Sequence, residues 1–102
     1  MTHILVLQWP GSTEADFEAL IEMENAVEAR IGALGSVDGH DFGSGEMNLF
    51  IETEQPAQAF AAAKGILGDR RAWDYVRAAF REASGDTYEM LWPPGLTGFS
   101  VR

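Results

Sequence analysis

The stretch V-D-G-H-D-F-G-S-G-E-M-N-L-F-I, Val37 to Ile51, places a glycine-rich turn directly before a strand of alternating side chains. Glycine and serine at the turn tolerate the positive φ values that tight hairpins need. Side chains in the strand that follows, Glu46 to Thr53, alternate between two faces: Met47, Leu49 and Ile51 on one, and Glu46, Asn48, Phe50 and Glu52 on the other. The stretch therefore predicts a β-hairpin in the middle of the chain.

A strand and a helix are predicted before this hairpin. The residues from His3 to Trp9 predict the first strand, which Pro10 and Gly11 end. Thr13 begins a helix, and Asp16 follows three residues later at the spacing of a capping box. Apolar residues then recur at helical spacing, and Gly32 marks the end of the helix. For this half of the chain the sequence therefore predicts a strand, a helix and a hairpin, in that order.

A second helix and two strands are predicted after the hairpin. Pro56 suits the first position of an alanine-rich helix, which stops at Gly68. Further strands are predicted from Asp74 to Glu82 and from Thr87 to Trp92. The tail from Gly95 to Arg102 has no periodic pattern and receives no assignment.

The order β-α-β-β-α-β-β predicts one α+β domain over residues 1–102. Two right-handed β-α-β crossovers around a hairpin are typical of a ferredoxin-like sandwich. We therefore expect an antiparallel sheet with both helices on one face.

Charge is distributed unevenly along the chain, whose formal net charge is −9. Residues 1–54 hold 11 acidic residues and one basic residue, Arg30, whereas residues 55–102 hold 5 acidic and 6 basic residues. Such a surface repels phosphate backbones and anionic lipids, which argues against nucleic-acid or membrane binding. It is compatible with a basic protein partner, and equally with the simple role of keeping a small protein in solution.

Composition narrows the chemistry and the location. The absence of cysteine excludes disulfides, thiolate metal ligands and a cysteine nucleophile. With His3 and His40 as its only histidines and no serine on a nucleophile elbow, the chain offers no Ser–His–Asp triad. The amino-terminal residues lack the pattern of a signal peptide, and no apolar run is long enough to span a membrane. The default expectation is a cytoplasmic protein.

The hairpin carries the first candidate site. If Val37 faces the helices, alternation sends four polar side chains toward one end of the opposite face: Asp38, His40, Glu46 and Asn48. Carboxylates beside an imidazole can hold a divalent metal or act as an acid–base pair. A network of polar side chains that only fixes the turn is the favoured alternative. A shift of one residue at Gly39 would also turn His40 to the other face.

The first helix carries the second candidate site. Glu14, Glu18 and Glu22 are spaced at i, i+4 and i+8, so they lie in one row. Like charges at this spacing repel, which suggests either a solvated face or a surface shaped for a cationic partner.

The face of the sheet opposite the helices, here called the open face, is the third candidate. Alternation assigns it Phe50, Tyr75, Arg77 and Arg81. The first strand is apolar on both sides, with Leu5, Leu7 and Trp9 on one and Ile4 and Val6 on the other. A strand of this kind is usually buried on both sides, so the open face needs a cover: the carboxyl-terminal tail with Leu96 and Phe99, or a second subunit.

Two further expectations concern the open face. Two ferredoxin-like chains that pair sheet to sheet would enclose a pocket there, and the three tryptophans, Trp9, Trp73 and Trp92, could line or flank it. Arg77 and Arg81 are expected to form ion pairs with Glu46 and Glu52 across the sheet, in preference to an anion site.

The run from Val37 to Ile51, together with Glu54-Gln55-Pro56 and Ala59-Phe60, resembles small uncharacterised bacterial single-domain proteins that carry a D-G-x-x-x-G-S-G-E-M-N hairpin motif. The ending Tyr88 to Pro93 is similar to theirs as well, and the likeness spans the last two-thirds of the chain. It implies no activity. In size and charge the chain also resembles the immunity proteins of bacterial toxin systems.

The sequence favours a non-catalytic module that binds a protein partner, through the acidic row on the first helix or through the open face, with no cofactor and no metal. Homodimerisation is compatible with this interpretation. The alternative is a small-molecule-binding or catalytic domain that uses a pocket on the open face near His40 and Glu46, beside Arg77.

Overall fold

The computed structural model describes residues 1–68 and 75–101, and these form an α+β structure with five strands and two helices. In chain order the elements are β1 His3–Pro10, α1 Glu14–Arg30, a 3-10 turn Gly32–Leu34, β2 Ser36–Gly43, β3 Glu46–Thr53, α2 Pro56–Leu67, β4 Arg77–Glu82 and β5 Glu89–Trp92. The predicted α+β class, the antiparallel sheet and the two helices are confirmed. The predicted positions Trp73 and Asp74 lie outside the described residues.

The five strands form one sheet in the order β2-β3-β1-β4-β5, and every neighbouring pair is antiparallel. Strand β1 therefore lies in the middle of the sheet, between β3 and β4. Because each neighbour reverses direction, β1 and β2 run parallel with β3 between them, and β3 and β4 run parallel with β1 between them.

Both helices pack on one face of the sheet, since they contact each other as well as the strands. That face is built from every second residue of the central strands, as the alternation of β3 predicted. From the sheet the core takes Leu5, Leu7, Trp9, Met47, Leu49, Ile51 and Ala78, and from the helices Leu20, Met23, Val27, Ala59, Ala63 and Leu67. Each fully buried large aliphatic side chain contributes about 1.5–3 kcal/mol to folding.

A capping box fixes the start of α1. The Thr13 hydroxyl accepts a hydrogen bond from the Asp16 backbone N–H at 3.1 Å, and the Asp16 carboxylate accepts one from the Thr13 N–H at 3.1 Å. The same carboxylate accepts a second hydrogen bond, from the Ser12 N–H at 2.9 Å. Backbone donors that have no partner within the helix are thereby satisfied.

The β2–β3 hairpin closes through a two-residue turn, Ser44-Gly45, in which both residues have positive φ, 56° and 78°. Positive φ at both positions matches the right-handed twist of the strands that the turn joins. One irregularity interrupts the pairing of these strands: Val37 pairs with Ile51, but Gly39 pairs with Phe50, so Asp38 is an extra residue in β2. This bulge determines where His40 points.

Three strand bounds differ from the prediction. Strand β1 includes Pro10, which was expected to end it. Strand β4 is described from Arg77, and β5 begins at Glu89 instead of Thr87. The pairing of β4 with β5 shifts between Ala78 and Ala79, so alternation alone does not place the side chains of β5.

The carboxyl-terminal tail lies over the open face of the sheet. The Gln8 side chain, on the open face of β1, donates a hydrogen bond from Nε2 to the Ser100 carbonyl at 2.9 Å. The rings of Tyr88 and Phe99 pack with their centroids 5.0 Å apart. The open-face side of β1 is accordingly buried, with Val6 and Gln8 both 0% exposed. Of the two expected covers, the tail occupies this position.

The capping box generates a prediction about pH. Hydrogen bonds from the Ser12 and Thr13 backbone N–H groups, together with one that involves the Thr13 side chain, hold the pKa of Asp16 below its ordinary value of 3.8. A carboxyl group whose pKa is lowered on folding stabilises the folded state at pH values above its ordinary pKa. That stabilisation is lost as the pH falls through the lowered pKa of the folded state. Asp16→Asn should therefore unfold more easily than the wild type at neutral pH, and the two should converge in strong acid.

Urea denaturation of both proteins from neutral pH to strong acid measures the difference in their free energies of unfolding. Asp86→Asn, which removes an exposed carboxylate from another turn, is the matched control and should follow the wild type throughout. A difference between wild type and Asp16→Asn that stays constant into strong acid would contradict the capping role.

The tail generates a second prediction. Removing residues 96–102 should uncover apolar side chains on the open face, among them Val6, Phe50 and Ala79. The truncated chain should melt at a lower temperature and bind the dye ANS. The reason is that full burial of a large apolar side chain contributes roughly 1.5–3 kcal/mol to the free energy of folding. Thr97→Ala, which changes an exposed position of the tail, is the control. A truncated chain with unchanged melting temperature and no dye binding would show that the tail does not cover this face.

Candidate functional site

A row of polar side chains crosses the open face of the sheet beneath the tail. Asn48 of β3 lies opposite Gln8 of β1, and Gln8 lies opposite Arg77 of β4. Glu46 lies two residues before Asn48, so it shares this face. Glu46, Asn48 and Gln8 are buried, with exposed fractions of 8%, 1% and 0%. Polar groups this deeply buried need partners, because desolvation without hydrogen bonds costs free energy.

Gln8 is the centre of this row. Its Nε2 group donates to Asn48 Oδ1 at 3.0 Å as well as to the Ser100 carbonyl. Its Oε1 atom is buried without a hydrogen-bond partner. Gln8 therefore joins the two central strands to the tail, and it leaves one acceptor unsatisfied.

Glu46 and Arg77 form an ion pair at one end of the row, and Arg77 Nη2 lies 3.0 Å from Glu46 Oε2. The side chain of Arg77 is 45% exposed and that of Glu46 only 11%. Glu46 Oε1 is buried without a hydrogen-bond partner. A cleft of about 400 Å³ opens beside the pair, lined by Pro10, Ser44, Gly45, Glu46, Tyr75 and Arg77.

The pairing of Arg77 with Glu46 was predicted from alternation and is present, but the pairing of Arg81 with Glu52 is not. Arg81 Nη1 instead donates to three backbone carbonyls at the end of β4 and in the β4–β5 connection, those of Glu82, Ala83 and Gly85, at 3.1, 3.0 and 3.1 Å. These carbonyls are close in sequence, so the turn itself brings them to the guanidinium. Arg81 is thus a brace for this turn.

His40 does not join Glu46 and Asn48, contrary to the prediction. The bulge at Asp38 shifts the pairing so that His40 lies opposite Leu49, a core residue on the helix side. There the imidazole Nδ1 lies 3.0 Å from Glu24 Oε2 of α1, and its ring packs edge-on against Phe17 with centroids 5.8 Å apart. The predicted four-residue site therefore separates: Glu46 and Asn48 on the open face, His40 against α1, and Asp38 exposed at the bulge.

A metal centre is not formed by these side chains. Within residues 1–68 and 75–101, no group of three or more His, Asp or Glu side chains is placed to hold a metal ion.

The remaining predicted open-face residues divide in two. Phe50 and Arg81 lie on that face by register, opposite Val6 and Ile4 of β1, and Tyr75 is 70% exposed at the rim of the cleft. The predicted tryptophan-lined pocket is wrong for the two tryptophans that are described. Trp9 is buried in the core on the helix side, and Trp92 lies beside α2, with Lys64 Nζ 4.3 Å from its ring centroid.

The acidic row on α1 faces solvent. Glu14, Glu18 and Glu22 are all exposed, and none forms an ion pair with another residue in the described part of the chain. Phe17 lies beside the row and is 39% exposed. Its ring packs edge-on against Phe42 of β2 as well as His40, with centroids 5.3 Å from Phe42. We call Glu14, Phe17, Glu18 and Glu22 the acidic surface.

Gln8 and Ser100 were missed by sequence reasoning. One signal was available for Gln8: it is a polar residue on the inner part of an otherwise apolar strand, I-L-V-L-Q-W, and such residues usually have a buried partner. Ser100 carried no signal, because its contribution is a backbone carbonyl in a segment without a periodic pattern.

No protein family matches this sequence, no curated protein is significantly similar to it, and no solved structure is significantly similar to its fold. In the described residues, neither helix is long and apolar enough to cross a membrane. The function is therefore inferred from geometry and charge.

The ion pair generates a prediction about stability. Arg77→Gln leaves the Glu46 carboxylate buried without its cation, whereas Glu46→Gln leaves Arg77 partly exposed to water. Arg77→Gln should therefore destabilise the protein more than Glu46→Gln, by about 1 kcal/mol once the solvent screening of Arg77 is allowed for. Urea denaturation of both variants and of the double variant measures the difference. Equal losses for the two single variants would show that burial of Glu46 has no energetic consequence.

Proposed function

We propose that this protein is a non-catalytic binding module that holds a basic protein partner on the acidic surface of α1. The observation that supports the proposal is the row of three exposed glutamates without ion-pair partners among the described residues. Repulsion within such a row costs about 0.2–0.5 kcal/mol per pair in the free protein. A cationic partner would relieve this repulsion on binding.

Phe17 gives the acidic surface an apolar edge. Edge-on packing against Phe42 and His40 holds the ring in place while more than a third of the residue stays exposed. Aromatic anchors with restricted side chains contribute strongly to protein interfaces, and complementary charge accelerates association. The partner should therefore present basic residues beside an apolar group.

The proposal places the partner on α1 and not on the open face, because the tail already buries that side of β1. Homodimerisation would have to use another surface or displace the tail. Nucleic acid and membranes are disfavoured as partners by the net charge of −9. A cytoplasmic location is part of the proposal.

We also infer that the fold is ferredoxin-like. Two β-α-β units whose parallel strands are separated by one antiparallel strand support this inference. The resemblance to small bacterial single-domain proteins, and the analogy with toxin-immunity proteins, specify one kind of partner: a basic toxin that the module would hold.

The proposal is tested by reversing the charge of the acidic surface. The triple variant Glu14→Lys, Glu18→Lys, Glu22→Lys should lose the basic partner that the wild type retains from lysate of the source cells. The matched control is Glu54→Lys, Asp86→Lys, Glu89→Lys, which reverses three exposed acidic residues elsewhere and reaches the same net charge. Phe17→Ala should weaken binding of the identified partner at least about tenfold, as an aromatic anchor does.

Mass spectrometry identifies the partner, and titration with the purified partner measures its dissociation constant for each variant. Circular dichroism confirms that each variant is folded. A partner that binds the reversed surface as tightly as the wild type, or one that the control variant also loses, would contradict the proposal.

A further inference from the structure

A cleft opens beside Glu46 and Arg77, at the end of the polar row on the open face and away from the acidic surface. We propose that this cleft binds a small zwitterion, a molecule that carries an ammonium group and a carboxylate as free amino acids do. The argument rests on two unpartnered acceptors, one partly free cation and the space between the strand ends.

The first observation is the unpartnered oxygen of Glu46. The residue is more than nine-tenths buried, and only one of its two carboxylate oxygens has a partner. A charged oxygen that is buried without a donor is costly, so a ligand that donates a hydrogen bond there is strongly favoured. An ammonium group supplies both the donor and the complementary charge.

The second observation is a further unpartnered acceptor on this face. Gln8 Oε1 is also buried without a partner, and Gln8 lies diagonally across the sheet from Glu46. Residues on such a diagonal are within reach of one another through their side chains. Both unsatisfied groups accept hydrogen bonds, and Glu46 is the one of the two that lines the cleft, so a ligand there has to donate.

The third observation is the state of Arg77. One of its nitrogens contacts Glu46, and the side chain is 45% exposed at the edge of the cleft. A guanidinium has five N–H donors in a planar fork, so the outward part of the group can take a carboxylate. This contact uses Glu46 Oε2, so Oε1 of the same carboxylate, in a residue that lines the cleft, is left without a donor.

Together these charges select the ligand class. A simple cation at Glu46 would also meet Arg77, and a simple anion at Arg77 would meet Glu46. A zwitterion satisfies both groups at once, with its ammonium on Glu46 and its carboxylate on Arg77. The cleft volume of about 400 Å³ is within the range of small-molecule sites. Tyr75 at the rim offers a ring and a hydroxyl to the rest of the ligand.

The test is a titration of the full-length protein with each standard amino acid, at amino-acid concentrations up to about 10 mM. Thermal shift and calorimetry monitor the binding. At least one amino acid should bind and raise the melting temperature. Its amide, which keeps only the ammonium, and its N-acetyl form, which keeps only the carboxylate, should each bind at least about tenfold more weakly.

Matched variants separate this site from general charge effects. Glu46→Gln and Arg77→Gln should each weaken binding at least about tenfold. Glu52→Gln and Arg81→Gln, which change the same residue types on the same face of the same strands, should keep wild-type affinity. The proposal is overturned if no standard amino acid binds, if the single-charge analogues bind as tightly as the zwitterion, or if Glu52→Gln weakens binding as much as Glu46→Gln.

Discussion

The structure depends on the burial of strand β1 from both sides. Its residues Leu5, Leu7 and Trp9 enter the core beneath the helices, while Val6 and Gln8 are fully buried on the opposite side. A central strand with apolar side chains on both faces cannot be left against water, since each uncovered side chain would lose about 1.5–3 kcal/mol. The two helices meet this requirement on one side. The tail meets it on the other, and Gln8 attaches the tail to the strand through the Ser100 carbonyl.

This constraint explains why polar residues on the open face are placed where they are. A glutamine in a buried strand needs partners, and Gln8 has Asn48 on one side and the tail above it. The charged residues, Glu46 and Arg77, lie near the end of the sheet, where Arg77 is half exposed and a cleft opens. Burial is therefore nearly complete at the centre of the row and incomplete at its end, and only the end has room for a ligand.

Much of the fold was predictable from the sequence, because two signals in it are local. The capping residues Thr13 and Asp16 predict the start of α1, and the strict alternation of β3 predicts which side chains enter the core. The same alternation placed Glu46 and Arg77 on one face, near each other. It succeeded because β3 and β4 both pair with β1 without a shift in register. Prediction failed where a strand is interrupted. The extra residue Asp38 in β2 turned His40 to the helix side, and nothing in the pattern around Gly39 decides whether such a bulge forms.

The contributions of the tail could not be predicted for a different reason. Its contact with Gln8 joins residues 92 positions apart through a backbone carbonyl, so neither periodicity nor residue type marks it. The tail also limits what each surface can bind. Where the tail covers β1, the sheet face is closed to a protein partner, whereas the exposed glutamate row of α1 is accessible to one. Partner size thus separates the two proposals: a protein on the acidic surface of α1, and a small ligand in the cleft at Glu46, entering at the uncovered end of the row.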